Sequence, residues 1–473
     1  MTGRAQRGPL AQELTRLNPW WIRLDWEAAD PQLAAAVRAP YERHPTILDD
    51  ITPPNLYTLR GPRRTGKSTV LKQIVVRLCR AGVDPRRICF FAADALSTFN
   101  DLITLFQTAR QLMPDLADIP RYFLIDEVTA IPNWQQGIKW IRDNTAVATD
   151  CIVLTGSSAD DIAAGATHLA GRRGPGVGLD RLLLPMAFPE FIRCAGYELP
   201  KPPALPLEAF YTAEGRAHCQ EALFSLGTLV DAFEHYLLVG GYPQAVADFR
   251  RTAQVSAGFA RDLWDVLQSD LRTLGVRQPE QALRLLERIV VGIGSPLSMR
   301  SIAESLDVAA ATAASWIDTL ANAYTVMLLF QESDGIADPK KQRKLYPIDP
   351  FLAHLPSRHS PGAHEPDQTR LAEAALAIAL FRAVEGDAVD RFGQPGRIFF
   401  YRNAKGTEVD FVVPMGPYAA EAKYIDKASV GEARAMVANF GGGLLLTRSA
   451  IDLQPGVTII PAAVFAWLLG QRA

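Results

Sequence analysis

Cysteine is scarce: Cys79, Cys89, Cys151, Cys194 and Cys219 are the five in 473 residues. Their number is odd and no two form a C-x-x-C pair, so neither a disulfide framework nor a zinc cluster is indicated, and a reducing compartment fits best. An excess of one charge is also missing, with 49 Lys+Arg against 51 Asp+Glu. A globally basic nucleic-acid coat is therefore excluded, and any contact with DNA must be local. Long apolar runs are absent. Residues 374–381 and 462–469 fall far short of the roughly 20 that a membrane span needs, and residues 1–10 lack the apolar stretch of a signal peptide. A cytoplasmic chain without a membrane partner is expected. The seven histidines are scattered, and His218-Cys219 has no further ligands at zinc spacing.

The chain has the material for substantial cores: 48% of residues are hydrophobic and 21% charged. Its length is about three times a usual domain of roughly 150 residues. From about residue 54 to 191, short β-rich runs (56–59, 88–91, 122–125, 152–155 and 182–184) alternate with helical stretches (67–80, 99–112 and 134–142). That alternation predicts a parallel sheet with helices on its faces. The Pro-rich stretch Leu199-Pro200-Lys201-Pro202-Pro203 reads as a linker. Helical spacing follows to about residue 280. Helices at 299–306 and 309–322, then strands at 325–330 and 344–348 around a polar turn, suit a winged helix. The last part reads as helix (371–384), three strands (397–401, 408–413 and 418–424), helix (430–439) and strand (443–447).

Gly61-Pro62-Arg63-Arg64-Thr65-Gly66-Lys67-Ser68-Thr69 follows a predicted strand and opens a predicted helix, the context in which G-x-x-x-x-G-K-S forms a phosphate cradle. Gly61 and Gly66 let successive N–H groups point inward, Lys67 supplies charge to the β/γ-phosphates, and the Ser68 hydroxyl is a Mg²⁺ ligand. ATP and Mg²⁺ are the expected cofactors. About sixty residues on, Tyr122-Phe123-Leu124-Ile125 ends in Asp126-Glu127. Asp126 is placed to hold Mg²⁺ through water and Glu127 to polarise the attacking water. Ile152-Val153-Leu154-Thr155-Gly156-Ser157-Ser158 puts hydroxyls at another strand tip, where Thr155 would orient that water. In Leu169-Ala170-Gly171-Arg172-Arg173 a guanidinium could serve as an arginine finger, in cis or in trans.

These motifs, with Pro185-Met186-Ala187-Phe188-Pro189-Glu190-Phe191 and Gly240-Gly241-Tyr242-Pro243, resemble the prokaryotic AAA-type ATPases whose C-terminal region was long catalogued as a domain of unknown function. The resemblance covers nearly the whole chain. It implies an α/β fold with a P-loop ATPase core, a winged-helix segment and a C-terminal restriction-endonuclease-like domain. It also implies Thr155 as sensor and Arg172 as finger. The expected divisions are an N-terminal segment (1–50), the ATPase domain (51–198), a helical lid or spacer (199–281), a winged helix (282–356) and a nuclease-like domain (357–473).

In that last part, strand alternation sets Glu408 and Asp410 on one face, and Glu421 and Lys423 on one face of the next strand. The spacing D-(x)10-E-x-K resembles the PD-(D/E)XK nuclease signature, although the proline before Asp410 is absent. Phosphodiester hydrolysis uses this kit: Asp410 and Glu421 would ligate one or two Mg²⁺ or Mn²⁺ ions, with Glu373 completing the shell, and Lys423 would stabilise developing charge or orient the water. The hairpin Asp338-Pro339-Lys340-Lys341-Gln342-Arg343-Lys344 concentrates four cations suited to DNA phosphates. The helix at 309–318 has no Lys or Arg for base reading. Trp20, Trp21 and Trp26 read as packing residues. A homo-oligomer is expected if Arg172 or Arg173 acts in trans. The sequence supports an ATPase coupled to a DNA-acting nuclease-like domain, plausible in genome defence or mobile-element biology. It also leaves open a nucleotide-switched module for a protein partner whose C-terminal domain cuts nothing.

Overall fold

The computed structural model describes residues 7–114, 119–157, 168–333, 335–338, 341–360, 362–386, 396–414, 416 and 418–470. Of the residues singled out above, Ser158, Pro339 and Lys340 lie outside them. The chain divides into two compact units, Met1–Leu183 and Leu184–Ala473.

The first unit is built on strands β1 (Leu56–Arg60), β2 (Ile88–Ala92), β3 (Tyr122–Asp126), β4 (Cys151–Gly156) and β5 (Asp180–Leu182). They form a five-stranded sheet in the order β2-β3-β4-β1-β5, and its neighbouring pairs are parallel. The middle residues of β3 and β4, 123–125 and 152–154, are apolar and buried because both faces are covered. Phe123, Ile125, Ile152 and Leu154 join one core with the helices Phe99–Leu112 and Trp134–Asn144. Leu124 and Val153, one residue out of phase, join the other core with the helix Lys67–Arg80. The N-terminal tryptophans pack as expected: Trp20 and Trp26 meet edge to face at 5.2 Å, and the Nε1 atoms of Trp20 and Trp21 donate to the Ile88 carbonyl at 2.9 and 2.8 Å. The fifth strand lies two residues earlier than the expected 182–184. It ends before Pro185, which has no N–H to continue a ladder.

The second unit carries β6 (Val326–Ser333), β7 (Ile336–Ala337), β8 (Arg343–Pro347), β9 (Phe399–Arg402), β10 (Glu408–Val413), β11 (Tyr418–Lys423), β12 (Gly443–Thr447) and β13 (Val457–Pro461). All eight belong to one mixed sheet, ordered β13-β12-β11-β10-β9-β6-β7 with β8 paired to β6. The hairpin expected in the winged helix thus shares its sheet with the strands of the C-terminal part. The hairpin β6/β8 is antiparallel as expected, but the outer edge of β6 pairs in parallel with β9 through Phe330↔Phe399 and Gln331↔Phe400. The helix Ala310–Asn322 buries Ala313, Trp316 and Ile317 within the same unit. The stretch expected as one helix at 430–439 is a 3₁₀ turn, Val430–Ala433, followed by the helix Arg434–Phe440, with Ser429 and Glu432 forming a capping box at the start.

The motifs 185–191 and 240–243 meet in this unit. The Met186 N–H donates to the Gly241 carbonyl at 2.7 Å, and the Gly241 N–H donates to Asp349 Oδ2 at 2.7 Å. Asp349 also caps the helix Pro350–His359 through the Phe351 N–H, and its burial pushes its pKa up to about 7. Among the described residues one stretch, Ala213–Val239, is long and apolar enough by composition to cross a membrane. A 3₁₀ turn at Leu223–Ser225 interrupts it, and Leu226–Val239 packs against Pro350–His359 and Ala462–Leu468.

Candidate nucleotide site and C-terminal carboxylate site

In the first unit the carboxyl ends of β1, β3 and β4 lie side by side, where a parallel sheet presents its ligand site. β1 runs into the loop 61–66, which opens the helix Lys67–Arg80. Gly61 has φ +142°, and a Cβ there would collide with the Leu183 carbonyl; Gly66 sits at φ +95°. The loop is thus set by backbone conformations that only glycine adopts without strain. The Lys67 ammonium, nearly buried, donates to the Gly61 and Pro62 carbonyls at 2.9 and 3.1 Å and lies 3.9 Å from Glu127 Oε1. Thr65 Oγ1 closes the loop by donating to the Pro62 carbonyl at 2.9 Å.

Thr155 links the other two strand tips. Its hydroxyl donates to Asp126 Oδ1 at 2.5 Å and accepts from the Glu127 N–H at 2.9 Å. One buried hydroxyl therefore fixes both carboxylate residues. Glu127 adopts a left-handed backbone (φ 50°) that ends the strand, and Ser157 Oγ donates to its Oε2 at 3.4 Å. The expected set of Lys67, Asp126, Glu127 and Thr155 is brought together. Ser68 and Thr69 occupy the first turn of the helix, and Arg63 and Arg64 lie in the loop. The Ser68 hydroxyl and the Asp126 carboxylate are hard oxygen donors of the kind Mg²⁺ takes, so the residues fit that ion.

The two arginines lie elsewhere. Arg172 forms a two-pronged pair with Asp143, Nε to Oδ1 at 2.7 Å and Nη2 to Oδ2 at 2.9 Å. Arg173 pairs with Asp180 at 2.6 Å, and its carbonyl accepts from the Leu56 N–H at the first residue of β1. The phosphate loop leaves from the opposite end of that strand, five residues away, or about 16 Å. A finger acting in cis is thereby corrected, because these groups belong to the amino edge of the sheet. Sequence reasoning missed Arg43, whose Nη1 donates to the Thr65 carbonyl at 2.7 Å and whose own carbonyl accepts from Gln73 on the following helix. A lone arginine in an irregular segment gave no signal.

In the second unit, β10 and β11 are antiparallel through Phe411↔Ala420. One position beyond that pair lie Asp410 and Glu421, and the Ala422 N–H donates to Asp410 Oδ2 at 3.0 Å. The expected convergence of Glu408, Asp410, Glu421 and Glu373 is present, with an addition. Lys344, fully buried on β8, places its ammonium 2.7 Å from Glu408 Oε1, 3.0 Å from Asp410 Oδ1 and 3.4 Å from Glu373 Oε1. Tyr346, two residues on and so on the same face of β8, donates its hydroxyl to Glu373 Oε1 at 2.7 Å. Lys423 lies 3.9 Å from Glu421 Oε2 and is almost half exposed. Gly294 packs so closely on the Glu373 carboxyl that a Cβ would overlap it.

Electrostatics follow from this crowding. Burial works against the Lys344 ammonium, but Asp410, Glu373 and Glu408 together outweigh it and hold its pKa above the ordinary lysine value. Burial, then the Asp410 charge, pushes Glu373 up to about 7 against the opposing pull of Lys344. Glu421 is pushed up to about 7 by the same two causes in the same order, and its Oε1 is buried without a hydrogen-bond partner.

A metal site at this centre is not shown. Among the described residues no group of three or more His, Cys, Asp and Glu side chains is arranged to hold a metal ion, and a lysine stands among Asp410, Glu408 and Glu373. The expected basic wing is corrected at Lys344 alone. Lys344 is buried, Arg343 lies over the Phe330 ring at 5.2 Å, and Lys341 donates to Ser333 Oγ at 2.9 Å. Lys344 was misread because a run of four cations looks like a solvated turn; the signal against that was Tyr346 at the next same-face position.

Comparison with known proteins matches the part of the chain that holds the first site. Residues 53–192 match a family model described as an AAA domain, and residues 230–360 match one described as a domain of unknown function (DUF8612). An uncharacterized protein, MJ1637, of Methanocaldococcus jannaschii is 24% identical over 323 residues, 63% of this chain and 62% of that protein. An uncharacterized protein of Haemophilus influenzae is 31% identical over 137 residues, 28% of this chain and 32% of that one. The chain thus matches less than two thirds of the length of either relative. Among solved structures, the Walker-type ATPase PABY2304 of Pyrococcus abyssi has a TM-score of 0.37 at 13% identity, covering 68% of this chain and 93% of that one. The Aeropyrum pernix ORC1 protein, solved in complex with DNA, has a TM-score of 0.27 at 13% identity over 78% and 92%. The chain carries an AAA-type P-loop ATPase domain.

Proposed function

We propose that the protein is a Mg²⁺-dependent ATP hydrolase. The observation that carries this is the Thr155 hydroxyl, which ties Asp126 and Glu127 together beside the Lys67 loop. The backbone N–H groups of residues 61–66 and the helix that starts at Lys67 would hold the phosphates. Ser68 and Asp126 would hold Mg²⁺, which neutralises charge on the β- and γ-phosphates when bound. Lys67 would move from the Gly61 and Pro62 carbonyls to the phosphate oxygens. Glu127 would take the proton of the attacking water, and Thr155 would keep that carboxylate oriented. Arg172, at the far edge of its own sheet, would serve a neighbouring subunit's site, which requires a homo-oligomer. The test is ATP turnover by the purified chain. Lys67→Ala should lose about 100-fold or more, and Glu127→Gln should bind ATP without turning it over. Unchanged turnover in both variants would remove the assignment.

For the C-terminal region the first reading is a DNA-binding domain that cuts with Asp410, Glu421 and Lys423, in genome defence or mobile-element biology. A second reading, a nucleotide-switched binding module without cleavage, is favoured by one observation: the ammonium of Lys344 stands among the carboxylates that cleavage would assign to metal. Cleavage of linear and supercoiled DNA with Mg²⁺ or Mn²⁺, abolished by Asp410→Ala, would restore the first reading.

A further inference from the structure

We infer that Lys344 is a tethered cation standing in for a divalent metal at the C-terminal carboxylate centre, so that the centre is complete without metal and a single substitution would turn it into a metal site. The inference does not depend on the ATPase reading, because the residues involved all belong to the second unit and the assay uses no nucleotide.

Three carboxylates from two elements, Glu373 on the helix Gln368–Glu385 and Glu408 and Asp410 on β10, each direct an oxygen at the Lys344 ammonium. An ammonium has three protons to donate, and these three oxygens take them. The fully buried position gives the ammonium no access to water as an alternative partner. On another side lies the Phe400 ring, 5.4 Å from Nζ, an arrangement that suits a fixed cation. A divalent ion bound to the same oxygens would sit about 2.1–2.6 Å from each. That distance puts it where Nζ is, and two cations cannot share the place.

The centre also shows what it would do without the lysine. Asp410 Oδ2 is taken by the Ala422 N–H, but Glu421 Oε1 is buried and unbonded, on a side chain only 5% exposed. This is an oxygen donor that Lys344 does not satisfy. Removing the ammonium would leave Glu373, Glu408, Asp410 and Glu421 as an all-oxygen set of the sort that Mg²⁺ and Mn²⁺ take. Methionine at 344 would retain most of the stem's volume without the charge.

The experiment is a Mn²⁺ titration of the full, nucleotide-free chain, read by the loss of the free-ion paramagnetic resonance signal. All chains carry Asp126→Asn, which removes the carboxylate proposed to hold Mg²⁺ at the phosphate site. The parent should take up no Mn²⁺ that depends on Asp410. Lys344→Met should bind one Mn²⁺ at least about tenfold more tightly than the parent, and adding Asp410→Asn should abolish that site. Mn²⁺ binding by the parent that Asp410→Asn removes would overturn the inference, as would a folded Lys344→Met that binds no better than the parent. If Lys344→Met does not fold, the parent's melting temperature decides. No shift with Mn²⁺ supports the tethered cation, and an Asp410-dependent rise overturns it.

Discussion

Among the buried lysines that face carboxylates, Lys67 and Lys344 are held in opposite ways. Lys67 is kept by two backbone carbonyls, with its one carboxylate neighbour, Glu127, at 3.9 Å. Those partners are neutral and give up the ammonium readily when a phosphate presents charge. Lys344 is kept by three carboxylates at 2.7–3.4 Å. Leaving them would strand several negative charges in a poorly hydrated place, which is far more costly. The difference teaches that a buried lysine is a ligand-seeking group when its partners are carbonyls and a structural counter-ion when they are carboxylates.

The largest expected effect that tests this contrast is on stability. Lys344→Met should lower the unfolding free energy by about 3 kcal/mol or more, whereas Lys67→Ala should lower it by about 1 kcal/mol. Urea unfolding of both variants measures the two. Equal losses would break the comparison.

A second effect concerns pH. Glu373 and Glu421, ordinarily near 4.5, are raised to about 7 in the folded chain. Between those values the folded state binds more protons than the unfolded state, so each group's contribution to stability falls as pH rises through the window. Asp349, raised from 3.8 to about 7, adds to the same slope from lower pH. Unfolding followed from pH 5 to 8 should show declining stability, and Glu373→Gln should flatten the decline. A rise in stability with pH over that range would refute the crowding described around Lys344.

The smallest effect belongs to Arg43. Its hydrogen bond to the Thr65 carbonyl supports the loop without touching the reacting atoms. Arg43→Ala should raise the KM for ATP about fivefold, corresponding to roughly 1 kcal/mol, with kcat little changed. A fall in kcat alone would move Arg43 from supporting the loop to supporting the chemistry.

How much of this was legible in the sequence differs between the two sites for a physical reason. The helix Lys67–Arg80 and the strand tips at Asp126 and Thr155 were legible because a parallel sheet places consecutive strand ends on one edge, so motif order nearly gives the geometry. At the C-terminal centre, alternation gave Glu408 with Asp410 and Glu421 with Lys423. Lys344 comes from a strand more than sixty residues earlier in the chain, and nothing local ties it to β10. The parallel pairing of β6 with β9, which brings that strand alongside, joins segments separated by a helix-rich stretch. Long-range pairing of this kind leaves little trace in periodicity. The strand Val457–Pro461 and the helix Ala462–Leu468 were not read as a strand and a helix, because two short apolar elements run together without a polar break.

The β6/β9 pairing also bears on how the chain is made. Until β9 leaves the ribosome, some seventy residues after β6, the apolar strand β6 has only its hairpin partner β8 and the short β7, and one edge stays bare. Unpaired strand edges invite association between nascent chains. The stretch 230–360 that matches a family model of its own ends inside this interval. As an isolated fragment it would retain that sticky edge and lack the carboxylates that neutralise Lys344, so the smallest unit able to fold by itself must extend past β10.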